Sequence, residues 1–185
     1  MRDLAAQLPV TRDTIFRLYS MTKPITAAAV MFLLEEGRID LYDPVSDYLP
    51  GFRDQKVMTD GVLVPVKRPV IIQDLLNMTS GLAYPGEGST TEIHTDLLMD
   101  EVITNLSSPQ ALTTCEIMNR LGEIPLAFHP GEKWQYGMSA DVLGAVIEVV
   151  SGVSFGEFLR QRIFEPLNMN DTGFYVPAAK PSRLA

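Results

Sequence analysis

Ser20 and Lys23 are the residues of this chain whose types and spacing could do chemistry together. In the stretch Leu18-Tyr19-Ser20-Met21-Thr22-Lys23-Pro24, a serine and a lysine three apart at the start of a helix share one face, because a helix turns once in ~3.6 residues. The amine can then rest against the hydroxyl. A neutral hydroxyl attacks a carbonyl only when a nearby base takes its proton, so Ser20 is the candidate nucleophile and Lys23 the candidate base. Burial beside a helix N-terminus disfavours the ammonium form and is expected to lower the lysine pKa. With ten serines and five lysines, chance alone would supply roughly 0.3 such pairs, so spacing is weak evidence by itself. Placement is stronger evidence, since the pair opens an apolar run.

A third group joins them by type. Tyr136 ends the rigid segment His129 to Tyr136 just ahead of an apolar helix, and a phenol near a lysine and a serine can donate or accept a proton. Alone it would be an ordinary half-buried tyrosine. A rival nucleophile is Ser154, because Gly152-Val153-Ser154-Phe155-Gly156 matches G-x-S-x-G. That motif needs a strand before the serine, whereas an apolar helix is expected there. Gly152 reads better as the helix C-cap, and Ser154 with Glu157 as the capping box of the next helix. His129-Pro130-Gly131 reads as a Pro-Gly turn whose histidine packs or caps.

The elements that must position these groups follow from periodicity and punctuation. Ile25 to Leu34 is apolar on nearly every side, which predicts a helix buried all round; Pro24 sits in its first turn and Gly37 stops it. At that length it cannot span a bilayer. Val57-Met58 and Val62 to Val66 flank Asp60-Gly61 as a small hairpin, kept at an edge by Pro65 and Pro69. Thr14 to Leu18 reads as a short extended lead-in, and a helical turn is expected before Leu49-Pro50. Helices are expected at 71–79, closed by Ser80-Gly81, then at 96–106, 114–121 with a capping box from Thr113 to Glu116, 139–151, and from Phe155 to Ile163. Residues 83–95, rich in Gly, Ser and Thr, read as a flexible loop.

Bulk properties narrow the classes. The 185 residues suffice for one domain with a real core, and 46% hydrophobic with 21% charged is ordinary globular composition. A net charge of −8 and a pI near 4.7 argue against nucleic-acid or anionic-membrane partners. One cysteine, Cys115, forms no internal disulfide and leaves no cluster for a structural zinc, and with two histidines, His94 and His129, no histidine-based metal site is expected. Met1 to Val10 carries Arg2 and Asp3 and has no apolar core, so no signal peptide is expected and the chain reads as cytoplasmic.

Several motifs taken in order resemble one family. Ser20-Met21-Thr22-Lys23, Leu75-Leu76-Asn77-Met78-Thr79-Ser80-Gly81-Leu82, Pro130-Gly131-Glu132-Lys133-Trp134-Gln135-Tyr136, Leu143-Gly144-Ala145-Val146-Ile147-Glu148 and Pro166-Leu167-Asn168-Met169 are similar to the serine β-lactamase and penicillin-binding-protein-like group. Within it the chain looks most like the class C β-lactamase-related carboxylesterases of family VIII. The resemblance runs from about Thr14 to Val176. It implies an α+β, β-lactamase/transpeptidase-like fold with Ser20 acylated, Lys23 as its base and Tyr136 as proton relay, and with Trp134 and Met138 as substrate contacts. It also implies hydrolysis of small esters without metal or organic cofactor.

Two departures shape the expectation. The family's tyrosine motif commonly reads Tyr-x-Asn, and here Met138 holds the third position. A thioether cannot replace the amide's hydrogen bonds, which favours simple esters over lactams or peptides. Family members also continue through further strands of an antiparallel sheet that bear a third motif and an oxyanion-hole N–H, and loss of one such donor can cost about 10² to 10³ in rate. Residues 1–185 are therefore expected to be a single, partial domain carrying mainly the helical lobe and the nucleophile helix. A β-lactamase or D-Ala-D-Ala carboxypeptidase is the alternative enzyme. A non-catalytic helical module is the alternative of another class, and its uncovered sheet-packing face would predict self-association.

Overall fold

The computed structural model describes residues 1–59 and 61–185. Its helices are α1 (Thr22–Glu35), α2 (Ile72–Asn77), α3 (Thr90–Asn105), α4 (Thr114–Glu123), α5 (Ser139–Ser151) and α6 (Phe155–Leu159). The last continues through a wider turn, Arg160–Phe164, in place of the single regular helix expected to Ile163. The strands β1 (Lys56–Thr59) and β2 (Val62–Pro65) pair antiparallel with Val57 opposite Val64 and Thr59 opposite Val62. That is the expected hairpin, although Asp60 of its turn lies outside the described residues. The fold is thus mostly helical with a small two-stranded sheet. The expected lead-in strand reduces to one parallel bridge, Ile15 to Leu184.

The hub of the core is α5. Val142, Leu143, Ala145, Val146 and Ile147 are all buried, and α1, α2, α4 and α6 pack around them. Gly152 ends α5 in the left-handed conformation (φ +78°), and the Ser154 hydroxyl accepts the Glu157 N–H to start α6. These two roles remove Ser154 from contention, because helix, not strand, precedes it. The capping box of α4 is complete: Glu116 accepts the Thr113 N–H at 2.8 Å while the Thr113 hydroxyl accepts the Glu116 N–H at 3.3 Å.

Three expectations fail for identifiable reasons. Helix α1 buries one face, Thr26, Ala29, Val30 and Leu33, while Ala28 and Met31 on the opposite side meet solvent; an all-round apolar sequence does not say how many sides find partners. Helix α3 begins at Thr90, six residues before the predicted start, inside the supposed loop. Ser89 caps it, and the buried Thr91 and Thr95 hydroxyls donate to the carbonyls of Pro125 and Thr91, each at 2.8 Å. A polar composition that reads as loop is satisfied here within a helix. Helix α2 ends not at Ser80-Gly81 but at Met78, itself left-handed (φ +59°), whose N–H and that of Thr79 return to the Asp74 carbonyl.

Candidate active site

Tyr19 enters the site in a left-handed conformation (φ +47°), a costly choice for a residue with a Cβ. It turns the chain into a single 3₁₀ turn, Tyr19–Met21, that holds Ser20 just ahead of α1. Lys23 is the second residue of α1, so the serine–lysine pair straddles the junction of the two helices rather than lying within one. The Lys23 Nζ donates to Ser20 Oγ at 3.3 Å. Its shorter bond is to the phenol of Tyr84, at 2.8 Å. The ammonium also lies over two rings, 4.6 Å from the centroid of Tyr136 and 5.4 Å from that of Tyr84, a placement that favours the cation.

Two segments bring the tyrosines there. The stretch from Met78 to Tyr84 is laced to the stretch from Ala127 to Ser139 along most of its length. Gly131 N–H donates to Thr79 O at 2.8 Å, Gln135 N–H to Met78 O at 3.0 Å and Ala127 N–H to Gly81 O at 2.9 Å. The hydroxyls of Ser80 and Ser139 share a buried hydrogen bond of 2.8 Å. At Gly137 the backbones approach so closely that a Cβ would lie 2.9 Å from the Leu82 carbonyl carbon and closer still to its oxygen. The lacing leaves the Tyr84 and Tyr136 rings 5.6 Å apart, tilted by 55°.

An ion pair fixes the far end of this lacing. Arg68 donates to both carboxylate oxygens of Asp74, at 2.6 and 2.8 Å, and the same carboxylate accepts the Ile71 N–H and the Thr79 hydroxyl, each at 3.1 Å. Asp74 is only 3% exposed, and its carboxylate holds the Arg68 guanidinium more firmly protonated than usual. The His129-Pro130-Gly131 stretch is a turn, as expected: Glu132 N–H donates to His129 O at 3.1 Å and Gly131 has φ +85°. The buried Nδ1 of His129 has no partner among the described residues.

The electrostatics reverse one expectation. Burial is the largest single influence on Lys23 and pulls its pKa down, as predicted, but the phenol oxygens of Tyr84 and Tyr136 together outweigh it, and the net direction is upward. The ammonium is favoured. Tyr136 moves the other way: the Ser20 hydroxyl first, then the Lys23 ammonium, hold its phenol below the ordinary tyrosine value. Asp141, in the first turn of α5, is pushed up by crowding around its carboxyl and pulled back by Lys23; its side chain reaches solvent, so water screens both effects.

Of the residues singled out in the sequence, Ser20, Lys23 and Tyr136 come together. Trp134 lies beside them, 66% exposed, with its ring near-parallel to that of Tyr136 at 6.3 Å. Met138 does not join them. It is 6% exposed and belongs to the hydrophobic core, because it immediately precedes α5 and points with that helix's inner face; it offers a substrate no apolar wall. Tyr84 was not anticipated. The signal available for it is its place as a lone tyrosine two residues after the Thr79-Ser80-Gly81-Leu82 motif of the family.

Comparison with known proteins identifies the family to which this fold belongs. The Beta-lactamase family matches residues 1–185. Esterase EstB of Burkholderia gladioli is 37% identical over 189 residues, which cover all of this chain and 44% of EstB. Penicillin-binding protein 4* of Bacillus subtilis is 31% identical over 185 residues, 98% of this chain and 35% of that protein. Among solved structures, "EstCE1, a hydrolase with promiscuous acyltransferase activity" superposes with a TM-score of 0.77 at 30% identity, covering all of this chain and 45% of EstCE1. The chain spans less than half the length of these relatives. Its fold is a portion of the β-lactamase/transpeptidase-like fold, with its likeness to EstB and EstCE1 placing it beside the family VIII esterases, and the chain belongs to the Beta-lactamase family.

Proposed function

We propose that this chain carries the nucleophile cluster of a serine esterase that works through an acyl-Ser20 intermediate. The observation that carries the reading is the convergence of Ser20 Oγ, the Lys23 ammonium 3.3 Å away and the Tyr136 phenol. Ser20 Oγ attacks the ester carbonyl and its proton passes to the oxygen of ionised Tyr136. The tetrahedral intermediate collapses by breaking the bond to the alcohol, which leaves with the proton returned by Tyr136. Water then attacks the acyl-serine, again with Tyr136 taking a proton and handing it back to Ser20. Lys23 stays charged throughout, stabilising the phenolate and its transition states, in place of the base role first expected of it. Trp134, exposed at the rim, is the substrate contact; the substrate is a small carboxylic ester.

The kinship with Penicillin-binding protein 4* supports a second reading, hydrolysis of a β-lactam or a D-Ala-D-Ala peptide by the same acyl-serine route. One experiment tests the shared step. The purified chain is exposed to a fluorophosphonate probe and weighed intact beside Ser20→Ala. A single adduct that disappears in Ser20→Ala is expected. A folded chain that takes no adduct overturns the reading for these residues and leaves the non-catalytic module. With labelling in hand, rates on a short-chain ester, a chromogenic cephalosporin and a D-Ala-D-Ala peptide separate the two enzyme readings.

A further inference from the structure

The shortest hydrogen bond made by Lys23 is not to the nucleophile but to Tyr84. The bond to Ser20 is exposed and long, and a lysine held only there would trade it readily for water, since fixing four side-chain torsions is entropically unfavourable. The bond to Tyr84 is half-buried and joins residues 61 positions apart. Tyr84 itself is pinned from both sides. Before it, Leu82 and Ala83 press against Gly137. After it, the turn through Gly86 and Gly88 wraps the Glu92 side chain, whose carboxylate accepts the Gly88 N–H at 2.8 Å; a Cβ at Gly88 would lie 2.7 Å from that carboxylate. Glu92 in turn belongs to the first turn of α3. The phenol oxygen of Tyr84 is therefore a fixed point in the fold, 2.8 Å from the ammonium that also reaches Ser20.

We propose that Tyr84 is a positioning residue of the active site, its phenol oxygen accepting a hydrogen bond from Lys23 and holding the ammonium between Ser20 and Tyr136. The proposal rests on the serine-esterase reading for its catalytic meaning, and on contact geometry for the hold itself. Tyr136 faces the reacting hydroxyl, Tyr84 faces the amine, and the two phenols divide between them what one could not do alone. An ammonium anchored on one side by Tyr84 stays charged when Tyr136 ionises beside it. The other groups facing Lys23 are the Ser20 hydroxyl, the Tyr136 ring and, from α5, the Asp141 carboxylate.

Tyr84→Phe removes the oxygen and keeps the ring, so packing against Tyr136 survives and folding can be checked by circular dichroism and Tm. Two readouts follow. With ¹³C-labelled lysine, the Cε signal of Lys23, assigned by its loss in Lys23→Arg, is titrated beside those of the other four lysines. The Lys23 midpoint is expected to fall in Tyr84→Phe while the others stay. Fluorophosphonate labelling of Ser20, followed as a rate against pH, is expected to slow about 10-fold with a displaced profile, as loss of orientation predicts. An unchanged Lys23 midpoint in folded Tyr84→Phe overturns the proposal, and so does a lowered midpoint with an unchanged labelling rate. If the parent chain takes no label, the esterase reading fails for this chain, and the lysine titration alone decides whether Tyr84 holds the ammonium.

Discussion

Gly137→Ala tests whether the lacing of the two tyrosine segments sets the reactivity of Ser20. Gly137 is buried between Tyr136 and Met138, and its neighbours are backbone atoms of Leu82 and Ala83 that cannot rotate away. A methyl carbon there would sit 2.9 Å from the Leu82 carbonyl carbon and 3.1 Å from the Ala83 Cα, against ~3.5–4.0 Å for an ordinary carbon contact. The segments must part by about 1 Å, which is the order of misplacement that can cost 100-fold in rate. Tyr84 and Tyr136 sit on opposite sides of that gap, so the opening is spent on the phenols around Lys23. Overpacking of this kind also destabilises by about 1–3 kcal/mol. The assay is the second-order rate of fluorophosphonate labelling by intact mass, with Tm measured on the same samples. Gly152→Ala is the control: its φ of +78° strains an alanine backbone, a strain Gly137 does not carry, but no atom lies within 4 Å of the new Cβ. Folded Gly137→Ala is expected to label about 100-fold more slowly than the parent, and Gly152→Ala to lose stability only. Labelling of folded Gly137→Ala within about twofold of the parent would refute the claim that this contact positions the site.

Asp74→Ala leaves Arg68 unpaired and orphans the Ile71 N–H and the Thr79 hydroxyl. Breaking a buried pair costs about 3–5 kcal/mol, and because Arg68 can turn its half-exposed head to water, the low end applies, about 3 kcal/mol; thermal unfolding should shift down by about 6–12 °C for a chain of this size. The pH profile of Ser20 labelling should rise as pH climbs through the lowered value of the Tyr136 phenol, because its ionised form is the proton acceptor. It should fall only where Lys23, held above its ordinary value of 10.5, gives up its charge. Tyr136→Phe should erase the rising limb and slow labelling by about 10² to 10⁴; a rising limb that survives in Tyr136→Phe would return the base role to Lys23.

Local chemistry made much of the fold readable. Thr113 with Glu116, Gly152 and Ser154 each end or begin a helix through bonds to their own neighbours, and such bonds depend on nothing farther along the chain. The features that could not be read depend on distant partners. Thr91 is a helix residue because the Pro125 carbonyl lies above it, and a threonine in a Gly- and Ser-rich stretch carries no sign of that. Met78, not the glycine three residues later, takes the left-handed cap of α2, because the Gly131 N–H to Thr79 O bond and the Asp74 cluster fix the chain on either side. Met31 looks like core by type and is exposed because α1 turns its other face, Thr26, Ala29, Val30 and Leu33, to the core around α5.

The same division explains the site. The serine–lysine pair is legible because its two members, three residues apart, open an apolar run, and Tyr136 because its flanking segment is stiff. Tyr84 is not, because nothing near it in sequence is a partner; its meaning lies 61 residues away, on Lys23. That single distant contact also accounts for the direction of the lysine's pKa. A lysine at a helix N-terminus, partly buried and alone, loses its proton more easily, which is what recommends it as a base from sequence. Two phenol oxygens change the sum: each interacts better with the ammonium than with the amine, and together they exceed the desolvation that burial imposes. With the lysine held toward its charged form and the phenol facing Ser20 held below its ordinary value, the proposed esterase reading sends the proton of the nucleophile to Tyr136 rather than to Lys23.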